Sequence, residues 1–265
     1  MENPGDKVAI PDATPDATRI ARTVASLLDA RRASSTLATL AQPYAPNSLD
    51  EAFAVQREMT RQLGARIGGW KVGYAPGVRL THAPIYQDVC LASGASIHLP
   101  YAGTPAIEGE VGFVLGRDVP VRGTRYSDEE IADAIDEVCA AIEVGAPRLR
   151  NFMEAPIEHK LADNMGNGAL IRGSGTRAWH AIDLAVLRVR VEIDGRVVTD
   201  LIGGNSAGNP FNALLALANA PHRHEPLQAG QIVISGTCTG IYAGHAGNAA
   251  KVVFDGLGEA RVTLV

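Results

Sequence analysis

The run of apolar and polar positions divides the chain into a helical beginning and a strand-rich remainder. Between about Asp16 and Arg32, Ile20, Val24, Leu27 and Leu28 fall on one helical face. A second helix is predicted from Ser48. Ser48 and Glu51 have the spacing of a capping box, and Leu49, Ala52, Phe53, Met59 and Leu63 follow at roughly helical intervals until Gly64, Gly68 and Gly69 close the segment. Residues 16–68 are therefore expected to be mainly helical. Residues 1–15 carry four prolines or glycines and little apolar periodicity, which predicts a flexible tail.

After Gly69 the texture changes to short strands and glycine-rich turns, so residues 69–265 are read as one mixed-sheet domain. Trp70–Gly73 is a short strand. Across 106–115, Ile107, Val111, Phe113 and Leu115 point one way and Glu108 and Glu110 the other. Ser127 and Glu130 form another capping box. Ile131, Ile135, Val138 and Ile142 then predict an amphipathic helix that yields to a strand around Ala141–Val144. Leu187, Val189, Val191 and Ile193 alternate with Arg188, Arg190 and Glu192, and Asp194-Gly195 turns the chain towards Val197 and Val198. Asn209-Pro210 opens a helix to about Asn219, and strands are expected near 231–235, 250–254 and 259–264. Strands outnumber helices and are not separated by them at regular intervals. That argues for an α+β fold with an antiparallel or mixed sheet rather than a doubly wound one.

Composition narrows the possible functions. A 265-residue chain that is 46% hydrophobic can bury one large core. Its formal net charge of -5 supplies no global positive field for nucleic acid or anionic membrane. Cys90, Cys139 and Cys238 are far apart and odd in number, against a zinc site or a disulfide framework. With no secretory pattern at the start and no apolar run of spanning length, a cytoplasmic protein is expected. No P-loop is present, and Gly203, Gly204 and Gly208 do not form a dinucleotide fingerprint.

The carboxylates carry the most information. Glu108 and Glu110, two apart on one strand, project from the same face. They are either a solvated outer face or a pair held together by a cation, and hard oxygen donors suit Mg²⁺ or Mn²⁺. Glu143 lies in the apolar run Ala140-Ala141-Ile142-Glu143-Val144. A glutamate in a buried strand needs a partner, which is Arg148 or Arg150 in one reading and a shared metal in the other. Lys71, between Trp70 and Val72 and flanked by Gly69 and Gly73, either snorkels to solvent or sits in a site. Asp163-Asn164 reads as a turn or a site, and Ser235-Gly236-Thr237, after the strand Ile232–Ile234, as loop chemistry or ligand contacts. His222 and His224, following Pro221, read as surface residues.

Taken in order, these segments resemble the 2-oxopent-4-enoate hydratase and 4-oxalocrotonate decarboxylase family, which is related to the fumarylacetoacetate hydrolase fold. The matching pieces are Gly69-Trp70-Lys71-Val72-Gly73, Ile107 to Gly116, Ala141-Ile142-Glu143-Val144, Leu161-Ala162-Asp163-Asn164, Gly208 to Ala213, Leu227 to Gly236 and Phe254 to Gly258. The resemblance covers roughly residues 20–265. It implies a helical N-terminal part followed by a fumarylacetoacetase-like rolled mixed sheet, with residues 69–265 as the catalytic domain. It also implies that Glu108, Glu110 and Glu143 bind Mg²⁺ or Mn²⁺, that Lys71 is the active-site lysine, and that Ser235 lies near the substrate carboxylate, with Asn164 as a further substrate contact. One position departs from the pattern: in Ala83-Pro84-Ile85-Tyr86-Gln87, Ile85 stands where the family usually has an acidic residue.

The activity so implied is metal-dependent hydration of a 2-hydroxydienoate, or 2-oxo-alkenoate, to a 4-hydroxy-2-oxo acid. The alternatives are decarboxylation of a 4-oxalocrotonate-type 2-oxo diacid, which needs an additional cation such as Arg148 or Arg79, and a catalytically silent subunit of a hydratase–decarboxylase complex. The expected partners are a small 2-oxo acid and further copies of the chain, or a related hydratase or decarboxylase. Neither nucleic acid nor membrane is expected as a partner.

Overall fold

The computed structural model describes residues 15–98 and 105–265. The tail expected over 1–15 lies, apart from Pro15, outside them. Helix α1 (Ala17–Arg32) begins at Asp16, whose carboxylate accepts from the Thr18 and Arg19 amides, and buries Val24, Leu27 and Leu28. Helix α2 (Leu49–Leu63) is capped by Ser48, which accepts from Glu51 N. The Glu51 carboxylate accepts from Asn47 N rather than closing the box on Ser48. Gly64 ends the helix in the left-handed conformation at φ 58°, where a side chain is strained. The two helices share a small core with Leu40, Leu149 and Ala162. Gln56 on α2 donates to the carbonyls of His82 and Leu161, which ties the helices to the strands beside them.

Among the described residues twelve strands make up two sheets. In order they are β1 (Ile67–Gly73), β2 (Thr81–Tyr86), β3 (Cys90–Ala92), β4 (Ala95–Ile97), β5 (Ala106–Leu115), β6 (Ile135–Gly145), β7 (Asn167–Thr176), β8 (Arg188–Ile193), β9 (Arg196–Ile202), β10 (Ile232–Ala243), β11 (Ala249–Phe254) and β12 (Gly258–Leu264). The larger sheet runs β2-β1-β10-β5-β6-β7-β3, with β1–β10 and β3–β7 parallel and the other pairs antiparallel. The smaller runs β4-β12-β11-β8-β9. The main core includes Val111, Phe113, Val138 and Ile142 of the larger sheet, Val191, Val252 and Val262 of the smaller, and Leu214 and Leu217 of helix α5 (Phe211–Ala218). Both faces of the larger sheet are covered. A second cluster on its other face holds Ile85, Val114, Cys139, Ala141, Leu170, Ile232 and Ile234. The architecture is thus the expected α+β arrangement, with helices at the beginning and a curled mixed sheet. Among the described residues no helix is long and apolar enough to cross a membrane.

One element departs from the expectation. The helix predicted over Ile131–Ile142 is a single short turn, α3 (Asp128–Ala132), with both halves of the Ser127–Glu130 capping box in place. Residues 135–145 are instead the strand β6. From Val138 onwards both faces of β6 are buried, so apolar residues fall at almost every position and mimic a helical period. The long antiparallel ladder to β5 decides the outcome. Two smaller shifts follow. Helix α5 starts at Phe211, whose amide donates to Asn209 Oδ1. Ser235-Gly236-Thr237 lies inside the bulged strand β10 rather than in a loop.

Candidate active site

Strand pairing assembles the predicted carboxylates. Residues directly opposite in paired strands present their side chains on the same face. Glu108 on β5 is opposite Glu143 on β6, and Glu110 is opposite Ala141. Lys71 on β1 is level with Ile234 on β10, which is opposite Gly112 of β5. Lys71 and the three glutamates therefore emerge from one face of the larger sheet, beside the apolar cluster of Ile85, Ala141, Leu170 and Ile234. Gly109, between the two β5 glutamates, faces the opposite side and lets the smaller sheet pack close behind them: an added Cβ would lie 2.8 Å from Thr239 Cγ2 and Val252 Cγ1.

The charges are buried and unbalanced. Glu110 and Glu143 are 2% and 1% exposed, and the Lys71 side chain 14%. Lys71 Nζ donates to Glu143 Oε1 at 2.6 Å and to the Met165 carbonyl at 3.0 Å. Asn167 Nδ2 donates to the same Glu143 oxygen at 2.9 Å. Glu110 Oε2 accepts from the amide of Gly236 at 2.7 Å, and Gly236 turns that amide inward at φ 86°, a conformation that favours glycine. One ammonium thus faces three carboxylates. Burial, then the charge of Glu143, pushes Glu108 up to about 7 against the pull of Lys71. Burial and the two other glutamates hold Glu110 well above the ordinary carboxylate value. Burial acts downward on Lys71, but the carboxylates of Glu143 and Glu108 outweigh it and the ammonium is favoured. Among the described residues no three His, Cys, Asp or Glu side chains already stand in ligand geometry. Glu143 is turned to Lys71 and Asn167, and Glu110 to Gly236. The donor set itself, three carboxylates in excess of positive charge with two of them buried, fits Mg²⁺ or Mn²⁺.

The other predicted residues are placed as follows. Asn164 is buried in the left-handed region at φ 48°, next to the carbonyl that holds Lys71, and its Oδ1 has no hydrogen-bond partner. Ser235 is fully buried, and its hydroxyl lies 3.3 Å from Asn205 Nδ2, which also donates to the Ser235 and Gly236 carbonyls. Arg148 is not the partner of Glu143. Its backbone amide and Nε donate to the Asp163 carboxylate, and its remaining nitrogens to the Asp163 and Asn167 carbonyls. Arg79 is exposed and lines a different cavity. His222 is half-buried rather than on the surface: it stacks on Phe53 and bonds Asp50. Nothing in the sequence signals Asn167 or Asn205, and Gly236 is marked only as part of the Ser235–Thr237 segment, because these residues act through an amide side chain or the backbone and carry no chemical signature in a single sequence.

Comparison with known proteins agrees with this picture. Residues 83–265 match the fumarylacetoacetate (FAA) hydrolase C-terminal family. The chain is 27% identical to the 2-keto-4-pentenoate hydratase of Paraburkholderia xenovorans (strain LB400), over 89% of this chain and 91% of that one. It is 26% identical to the 2-hydroxyhexa-2,4-dienoate hydratase of Comamonas testosteroni, over 89% and 94%. In fold it is similar to the 4-oxalocrotonate decarboxylase from Pseudomonas putida G7 complexed with magnesium and adipate. That match has a TM-score of 0.84 at 21% identity and covers 96% of this chain and all of the other.

Proposed function

The chain belongs to the fumarylacetoacetate hydrolase family, and on that premise we propose that it is a divalent-metal-dependent hydro-lyase. It adds water to a 2-hydroxydienoate, or 2-oxo-alkenoate, to give a 4-hydroxy-2-oxo acid. The observation that carries the reading is the gathering of three carboxylates, two buried and one part-buried, around one lysine. The two hydratase relatives, each aligned over 89% of the chain, support the choice of reaction.

Glu108, Glu110 and Glu143 would hold Mg²⁺ or Mn²⁺, which supplies Lewis-acid polarisation of the substrate's 2-oxo oxygen. Lys71 carries the proton. Its ammonium is held by Glu143 and the Met165 carbonyl. It delivers a proton to the far carbon of the dienol, and the amine so formed takes up the proton that the 2-hydroxyl loses as it becomes the 2-oxo group, so that no net proton is gained or lost. Water then adds to the conjugated alkene. Asn164 Oδ1 offers an unpaired acceptor to a substrate hydroxyl. The Ser235 hydroxyl accepts from Asn205 and keeps its own proton for the substrate carboxylate. Ile85, Ala141, Leu170 and Ile234 give the alkenyl end an apolar neighbour. The diacid decarboxylase alternative is less well supplied, because Arg148 is committed to Asp163. The free edge strand β9 exposes Val197, Val198 and Ile202, which supports self-association of a cytoplasmic enzyme.

The test follows ultraviolet loss of 2-hydroxypenta-2,4-dienoate after chelation, with and without added Mg²⁺ or Mn²⁺, in the natural protein and in Glu108→Gln. Metal-dependent loss, with 4-hydroxy-2-oxopentanoate as product and none from the variant, is the expected result. No turnover and no metal binding in the natural protein would overturn the reading.

A further inference from the structure

The face of β2 turned away from the Lys71 side borders a separate cavity of about 400 Å³ through His82. His82 marks it. His82 is opposite Val72 in the β1–β2 ladder, so it shares the face of Val72 and Trp70 while Lys71 points to the other side. It is 4% exposed and stacks on Phe53 with ring centroids 4.5 Å apart, yet neither ring nitrogen has a hydrogen-bond partner. A buried imidazole with both nitrogens unsatisfied is costly unless a ligand or water pairs with it. Burial, then the neighbouring His222, Arg223 and His224, holds it far below the ordinary histidine value, at about 3. It therefore presents one donor and one acceptor at neutral pH.

The rest of the lining fixes the charge of a fitting ligand. Arg79 borders the cavity with no ion pair or hydrogen bond of its own among the described residues. Ser48 and Leu49 bring in the N-terminus of the fifteen-residue helix α2. There Ser48 Oγ takes the Glu51 amide, and the first-turn amides ahead of it have no acceptor within the helix. The acidic groups of that turn already have partners, Glu51 with Arg19 and Asp50 with His222, a lining residue of the cavity. Glu158 alone adds a carboxylate to the lining, which counts against a second negative charge on the ligand.

We propose that this cavity is a second binding site, for a small monocarboxylate that also carries a hydroxyl or oxo group. Its carboxylate lies between Arg79 and the start of α2, and its hydroxyl or oxo group meets the His82 ring. The site is independent of the chemistry assigned to the glutamates, because His82 faces the side of β2 opposite to Ala83 and its partner Lys71, and no glutamate of that group lines the cavity.

Equilibrium dialysis of the full chain with Mg²⁺ present, using labelled 4-hydroxybutyrate, tests it; this probe lacks the 2-oxo acid grouping that a metal chelates. One molecule per chain is expected at millimolar concentration. Arg79→Gln, a change at an exposed residue that leaves folding intact, should weaken binding at least about tenfold. His82→Phe, which keeps the stacking on Phe53, should bring 4-hydroxybutyrate down to the level of butyrate. Glu143→Gln should leave binding unchanged. Absence of binding would show that the cavity holds water only and overturn the proposal. So would binding that survives Arg79→Gln but fails in Glu143→Gln, or tighter binding of succinate than of 4-hydroxybutyrate.

Discussion

Two groups of buried charge in this protein behave differently. At Arg148 and Asp163, one cation meets one anion, both at most 1% exposed, and the guanidinium is satisfied from several sides by carboxylate and carbonyl oxygens. At Lys71, one cation meets three anions, and two of the carboxylates are pushed well above their ordinary range. The first arrangement is complete without further help. The second lacks positive charge, the deficit that the divalent ion proposed above would correct. The two are linked: Arg148 holds the Asn167 carbonyl, and the Asn167 amide holds Glu143.

Removing one member of each group separates them most sharply. Arg148→Met leaves Asp163 buried without its partner, and a loss of about 3–5 kcal/mol of stability is expected from breaking such a pair. Denaturant unfolding of the chelated protein measures it. A loss under about 1 kcal/mol would mean that the pair is not the closed unit described here.

Glu108→Gln should do the reverse. Ionised Glu108 is unfavourable in the folded, metal-free protein, so its neutral replacement should raise the melting temperature after chelation at pH 8 and abolish the further rise that Mg²⁺ gives the natural protein. The pH window follows from the sign of the shift. Glu108 is raised from its ordinary 4.5 to about 7. Its contribution to stability is therefore fully present below about 4.5 and lost as pH rises through 7. His82, held low at about 3, acts in the opposite sense as pH falls below its ordinary 6.5. Comparing the natural protein with Glu108→Gln cancels the histidine. The gap between their melting temperatures should open between about pH 4.5 and 7, and a gap that does not change with pH would contradict the account.

The same comparison explains what was legible in the sequence. Glu108 and Glu110 were readable because β5 has one apolar and one acidic face, so the period of two survives in the residues. Glu143 was noticeable as a charge in an apolar run. Its strand was not recognised over its full length, because burial of both faces of β6 erases the alternation that marks a strand. The partner of Glu143 was also unreadable. Arg148 and Arg150 are close in sequence, but the ladder brings in Lys71, 72 positions away. Carbonyls and amides such as Met165 O and Gly236 N are present in every residue, and only the fold decides which are aimed at the site. The N-terminal helices were the easiest part, since Ser48, Asp16 and the apolar stripes encode them locally.

The smallest effect is expected at the apolar floor beside the carboxylates. Ile85 is fully buried against Cys90, Cys139, Leu170 and Ile234 on the Lys71 face, at the position where the family resemblance leads one to expect an acid. If it serves as packing, Ile85→Val removes one methylene and costs about 0.5–1.5 kcal/mol, with the rate on 2-hydroxypenta-2,4-dienoate nearly unchanged. Unfolding and turnover measured on the same preparation decide the matter. A turnover loss far larger than the stability loss would show that the Ile85 side chain touches the substrate. The apolar cluster would then belong to the unbalanced region of the molecule rather than to its inert packing, and its shape would select the substrate's alkenyl end.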